Sequence, residues 1–167
     1  LVELVNIYSE GIEFEAIHRV IFNVDNSDFF SKLEGSSKFK ITKTEDLEST
    51  LEKVNKTTGK QLCGYRNSNG YGIIEAVSPD CSIIAGTIQN FIDSYISEKK
   101  EAEVDYIHGI DVTDELGQKD KKLGIFLPSI EKETFFQKVV EDGAFPRKTF
   151  SMGEAFEKRF YVETRKI

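Results

Sequence analysis

Residues 1 to 8 and 12 to 24 alternate apolar and polar side chains and are rich in β-branched residues, the period-two signature of strands. Ser9-Glu10-Gly11 between them reads as a turn that would let the two pair as a hairpin. The pattern then changes to short helices. Asn26 or Ser27 supplies a cap for a helix from Asp28 to Leu33 closed by Gly35, and Thr44, Glu45 and Asp46 open a second that runs toward Lys56 and stops near Gly59. The segments 61 to 66 and 71 to 77 flank Asn67-Ser68-Asn69-Gly70, and Asn-Gly predicts a β-hairpin because both residues tolerate positive φ. From about Ser82 to Lys99, Ile84, Ile88, Phe91, Ile92 and Tyr95 recur at helical spacing, which predicts the longest helix, packed on the sheet. Ala102 to Ile107 reads as a strand leading into His108-Gly109-Ile110-Asp111, with Asp111 capping a helix that Gly117 ends. Lys122 to Leu127 is a further strand, Ser129 caps a helix from Glu131 to Asp142 stopped by Gly143, and Phe160 to Thr164 makes a terminal strand. Helices and strands interleave without a regular βα period, so the pattern predicts one α+β domain over residues 1 to 167, its sheet mixed or mainly antiparallel and covered by packed helices.

Composition narrows the function classes. A chain of 167 residues with 39% hydrophobic and 31% charged residues suits a single domain with a sizeable core, to which thirteen Phe and six Tyr contribute. The net charge of −7 disfavours nucleic acid as a partner, because binding a phosphate backbone needs a basic face. No apolar run approaches the ~20 residues of a membrane span, and no basic start leads into an apolar secretory core, so the expected location is the cytoplasm, with no membrane partner. Cys63 and Cys81 are too few for a disulfide framework and fit no zinc spacing, which predicts reduced, packed thiols. The chain starts inside an alternating apolar segment and its only methionine is Met152, which predicts a C-terminal piece of a longer gene product, partnered by a missing N-terminal domain.

Candidate chemistry concentrates in Pro146-Arg147-Lys148-Thr149-Phe150-Ser151-Met152-Gly153-Glu154. From Pro146 to the end there are six Lys or Arg against three Glu, a local excess of +3 in an acidic chain. Arg147 can grip a phosphate or carboxylate with two parallel donors, Lys148 adds a point charge, Thr149 and Ser151 offer hydroxyl donors, and Gly153 lets backbone N–H groups approach. The opposing reading is that these residues join a helix to a final strand and pair with nearby acids. His18 and Arg19 fall inside a strand and so point to opposite faces, one toward solvent or a cleft. His108-Gly109-x-Asp111 sits at a strand end before a helix, where free N–H groups meet anions, although Asp111 as a cap, Gly109 as a turn and His108 as a partly buried hydrogen-bonding residue explain it more simply. No metal-ligand spacing occurs, and the lone GxG of Gly70-Tyr71-Gly72 belongs to the hairpin. Ser151 or Thr149 as a nucleophile lacks a base nearby in sequence.

The stretches Phe14-Glu15-Ala16-Ile17-His18-Arg19-Val20, Tyr106-Ile107-His108-Gly109-Ile110-Asp111, Leu127-Pro128, Pro146 to Ala155 and Lys158-Arg159-Phe160-Tyr161 together resemble the C-terminal part of the bacterial and archaeal family known as domain of unknown function 1015. The resemblance spans essentially the whole chain. That family is linked to ParB-like proteins, a superfamily that also holds sulfiredoxin and a free-serine kinase, all built around an upstream phosphate-gripping segment that this chain lacks. The resemblance implies that His18, Arg19, His108, Asp111, Arg147 and Lys148 form the secondary half of a site for a small anionic ligand. Its sharpest form is nucleotide-dependent phosphotransfer, with ATP or ADP and magnesium bound by the full-length protein. There Arg147 and Lys148 would neutralise phosphate charge, Thr149 and Ser151 would donate hydrogen bonds, and His108 or Asp111 would handle a proton or a magnesium-bound water. The rival class is a non-catalytic accessory or homo-oligomerisation domain, and a third is a ParB-like association with nucleic acid. A composite site requires His108 and Asp111 to share a cleft with Arg147 and Lys148.

Overall fold

The computed structural model describes residues 6–10 and 12–152. The expected strand at 160 to 164 and most of the one at 1 to 8 lie outside the described residues. Asn6, Ile7 and Tyr8 belong to a turn in which Ser9 N–H donates to the Asn6 carbonyl at 3.0 Å, so the strand expected there does not include them.

The elements run β1 (Phe14–Phe22), α1 (Asn26–Gly35), β2 (Phe39–Thr44), α2 (Leu47–Lys56), β3 (Gln61–Asn67), β4 (Gly70–Ala76), α3 (Ile84–Glu98), β5 (Glu103–His108), α4 (Ile110–Gly117), β6 (Lys122–Phe126), α5 (Lys132–Asp142) and β7 (Phe150–Met152). The fold is α+β. The strands form one sheet in the order β2-β4-β3-β6-β1-β5, with β7 also pairing β1, and every pairing is antiparallel.

Several ends differ from the sequence expectation. Asp25, rather than Asn26 or Ser27, caps α1: its carboxylate accepts from the N–H groups of Ser27 and Asp28. Asp46 caps α2 in a reciprocal box with Ser49. Gly109, at φ 108°, stands at the start of α4 and Asp111 falls in the first turn, while α5 begins after Glu131 with no side-chain cap from Ser129. The β3–β4 turn is Ser68-Asn69, and the positive φ (130°) falls on Gly70.

Alternation along β3 shows how the layers form. Leu62 packs with Val54 and Ile73, whereas its neighbour Cys63 packs in the main core with Ile21, Ile74 and Ile125. That core takes Phe29 and Leu33 from α1 and Ile84, Ile88, Ile92 and Tyr95 from α3, so those helices cover one face of the sheet. The other face carries α2 and α4. α4 approaches β6 closely enough that a Cβ on Gly117 would stand 2.9 Å from both the Arg66 carbonyl oxygen and the Gly124 nitrogen. Among the described residues, Cys63 is buried, Cys81 is half-buried and both are free thiols. α5 is fastened by Asp142, whose carboxylate accepts from both the N–H and hydroxyl of Ser82 at 2.7 Å, and by Phe135, which packs against Phe14, Phe145 and Phe150. Among the described residues no helix is long and apolar enough to cross a membrane.

Candidate functional site

β1 sends successive side chains to opposite faces, and both members of the His18-Arg19 pair are buried rather than one reaching solvent. His18 accepts a hydrogen bond from the Leu127 N–H through Nδ1 at 3.1 Å and meets the edge of Phe126. Burial first, then the nearby Arg19 and His108, lower its pKa to about 4, so the ring is neutral in the folded protein at pH 7.

Arg19 is fully buried on the α3 side of the sheet. Its Nε donates to Gln89 Oε1 at 3.1 Å, and its Nη1 donates to the carbonyls of Ile17 and, at 2.8 Å, Lys148. Nη2 has no partner. The β1–β5 register sets Tyr106 opposite Arg19, and the guanidinium lies 4.8 Å from the centre of that ring. Burial lowers the guanidinium pKa to about 10, opposed by Tyr106 and Asp93. Gln89 in turn donates to Asp93 at 2.8 Å, one turn further along α3.

Tyr106 joins this buried cation to an exposed one. Its hydroxyl accepts from Arg147 Nε at 3.1 Å, and the Arg147 guanidinium lies 5.5 Å from the same ring. The Tyr106 hydroxyl, and secondarily Asp93, hold the Arg147 pKa above its ordinary value. Arg147 is exposed, and among the described residues its two terminal nitrogens make no hydrogen bond or ion pair, which leaves them open to a ligand. Lys148 is exposed and adopts φ 57°, a left-handed conformation that costs a non-glycine residue roughly 1–2 kcal/mol. Thr149 and Ser151 are buried; the Thr149 hydroxyl donates to the Pro146 carbonyl at 2.5 Å, and Ser151 pairs with Glu15 in the β1–β7 ladder.

His108 lies opposite Ile17 at the end of β5, on the same face as Tyr106, and its buried Nε2 has no hydrogen-bond partner among the described residues. Asp111 is exposed in the first turn of α4, which packs on β6 across the opposite face. Thus Arg19, Tyr106, Arg147 and Lys148 form one contiguous group and His108 follows on the same strand, while among the described residues no hydrogen bond or ion pair joins Asp111 to any of them. Sequence reasoning gave no role to Tyr106, Gln89 or Asp93. The legible signal was Gln89 itself, a polar residue at a buried position of an apolar helix face; Tyr106 needed the β1–β5 register. Two cavities, of about 730 Å³ beside Asn23, Asn26 and Asn69 and about 480 Å³ between Gly59 and Ser129, do not include the Arg147 loop. Among the described residues no cluster of three or more His, Cys, Asp or Glu is arranged to hold a metal.

No protein-family model matches the sequence, and no curated protein matches it. The fold is shared with solved structures. A conserved hypothetical protein from Pyrococcus furiosus superposes with a TM-score of 0.66 at 14% identity, over 92% of this chain and 61% of that one. A free serine kinase in complex with AMP superposes with a TM-score of 0.66 at 11% identity, over 91% of this chain and 58% of its own, and a point variant of a free serine kinase with ADP gives the same values. The chain therefore spans about three fifths of the length of the structures it matches. At these identities the likeness is one of fold.

Proposed function

We propose that the domain binds a phosphorylated or carboxylated small molecule at the Arg147-Lys148 loop, as the C-terminal part of a protein of the domain of unknown function 1015 kind. The observation that carries this reading is the state of Arg147: its Nε is anchored on Tyr106, and among the described residues neither it nor Lys148 has a carboxylate partner. A guanidinium fixed at one end and free at the other suits paired anionic oxygens. Nucleotide-dependent phosphotransfer is the sharpest form of the reading. Its support is the fold shared with free serine kinases solved with AMP and ADP. In that form Arg147 and Lys148 neutralise phosphate charge, and His108, with its unpartnered Nε2, handles a proton.

Thermal melts of the wild type and Arg147→Ala, each with and without ADP, phosphate and phosphoserine, test it. The variant is expected to melt close to the wild type in buffer, as exposed substitutions do, and to lose the stabilisation that a bound anion gives the folded state. A large loss of melting temperature in buffer alone would mark Arg147 as structural; no shift of the wild type with any anion would reject the site.

One observation favours the rival reading of an assembly domain. Phe136 and Val140, four residues apart on α5, are 53% and 85% exposed, an apolar pair of the kind that docks on another surface. Light scattering behind a sizing column decides: a dimer that Val140→Asp makes monomeric supports assembly, and a monomer at all concentrations excludes it.

A further inference from the structure

Resting on the reading of Arg147 and Lys148 as an anion-binding pair, we infer that Arg19 is the residue that positions them. Arg19 is fully buried beneath the loop, so its role is exerted through the groups it holds. Its hydrogen bonds go to neutral acceptors: Gln89 Oε1 and the carbonyls of Ile17 and Lys148. A buried cation held by neutral groups is a poor source of stability, because desolvation opposes what the contacts return. Methionine or leucine would fill much of the same space, so packing alone gives no reason for an arginine here.

The contacts themselves give one. Nη1 fixes the direction of the Lys148 carbonyl, and that direction accompanies the left-handed turn of Lys148. The face of the guanidinium supports Tyr106, whose hydroxyl holds Arg147 Nε. Both routes end in the same dipeptide from one buried side chain. On the far side, Phe145 and Phe150 flank the loop and pack on Phe135, so the backbone is gripped from two directions. An exposed arginine ordinarily loses rotamer freedom when it binds an anion; here that ordering precedes the ligand. The fixed charge of Arg19 beneath the loop adds to the attraction.

Pyrophosphate is the probe, titrated by calorimetry into the 167-residue chain, while the Arg147 Nε–H resonance is followed by NMR. Arg19→Lys keeps the charge without the planar donors, and Arg19→Met removes both. Each is expected to bind pyrophosphate about tenfold or more weakly and to lose the protected Arg147 Nε–H signal, with Arg147 and Lys148 still present. Folded Arg19 variants with wild-type affinity and an intact signal overturn the inference. Should both fail to fold, Tyr106→Phe and Gln89→Met carry the test: severalfold weaker binding supports positioning, and wild-type affinity in both overturns it. A wild type that binds no pyrophosphate overturns the anion reading and this inference together. Wild-type binding with unaffected variants overturns this inference alone.

Discussion

His18 shows what a single buried ring does to the pH response of the whole chain. Its folded pKa of about 4 lies below the ordinary 6.5, so between those values the unfolded chain takes up a proton that the folded one refuses. The stability associated with the neutral ring is therefore complete above pH 6.5 and is lost as pH falls toward 4, roughly 3 kcal/mol at about 1.4 kcal/mol per pH unit. Urea unfolding of wild type and His18→Gln from pH 7 to 4 measures it: the wild type should lose stability more steeply, and parallel curves would reject the assignment. The opposite facing of His18 and Arg19 was legible from strand alternation. Their burial was not, because β1 runs between β6 and β5 inside the sheet, and no local pattern says which neighbours a strand acquires. The same gap hid Tyr106, whose partnership with Arg19 depends on register between distant strands.

At the scale of elements, helices with strong apolar periods and the β3–β4 hairpin were read nearly as they stand. β2 was not. It lies at the sheet edge, exposes Lys40, Thr42 and Lys43, and buries only Phe39, so it carries little of the alternation that marks a half-buried strand. Helix starts shifted by one to three residues because caps are chosen by geometry: Asp25 accepts from the first N–H groups of α1, while the Asn26 side chain donates to the Lys122 carbonyl instead. The seat of α4 gives the sharpest test at this scale. Gly117→Ala would place a methyl 2.9 Å from two backbone atoms, neither of which is a flexible side-chain end. The expected cost is about 1–3 kcal/mol, with the sheet forced away from the helix. Denaturant midpoints check it, and a loss below about 0.5 kcal/mol would show that α4 can move freely on β6.

For the whole molecule, the α+β class followed from the irregular order of elements and the sheet was legible only as mixed or mainly antiparallel, whereas its fully antiparallel strand order required pairings between segments far apart in sequence. The candidate site repeats that division. Arg147 and Lys148 stood out by composition, but the buried cation that supports them belongs to the first strand and the ring between them to the fifth. The sheet's interior also contains a clock. Cys63 sits in the main core with its thiol pKa raised by burial, while Cys81 is half-buried near the start of α3. A thiol reagent should therefore modify the chain in two phases. Cys81 reacts from the native state at a rate set by local access, and Cys63 waits for the core to open, so its rate reads the opening equilibrium directly. Adding an anion that binds only the folded chain should slow the second phase and leave the first unchanged, which turns one pair of reduced cysteines into a binding assay that needs neither a known substrate nor a known reaction.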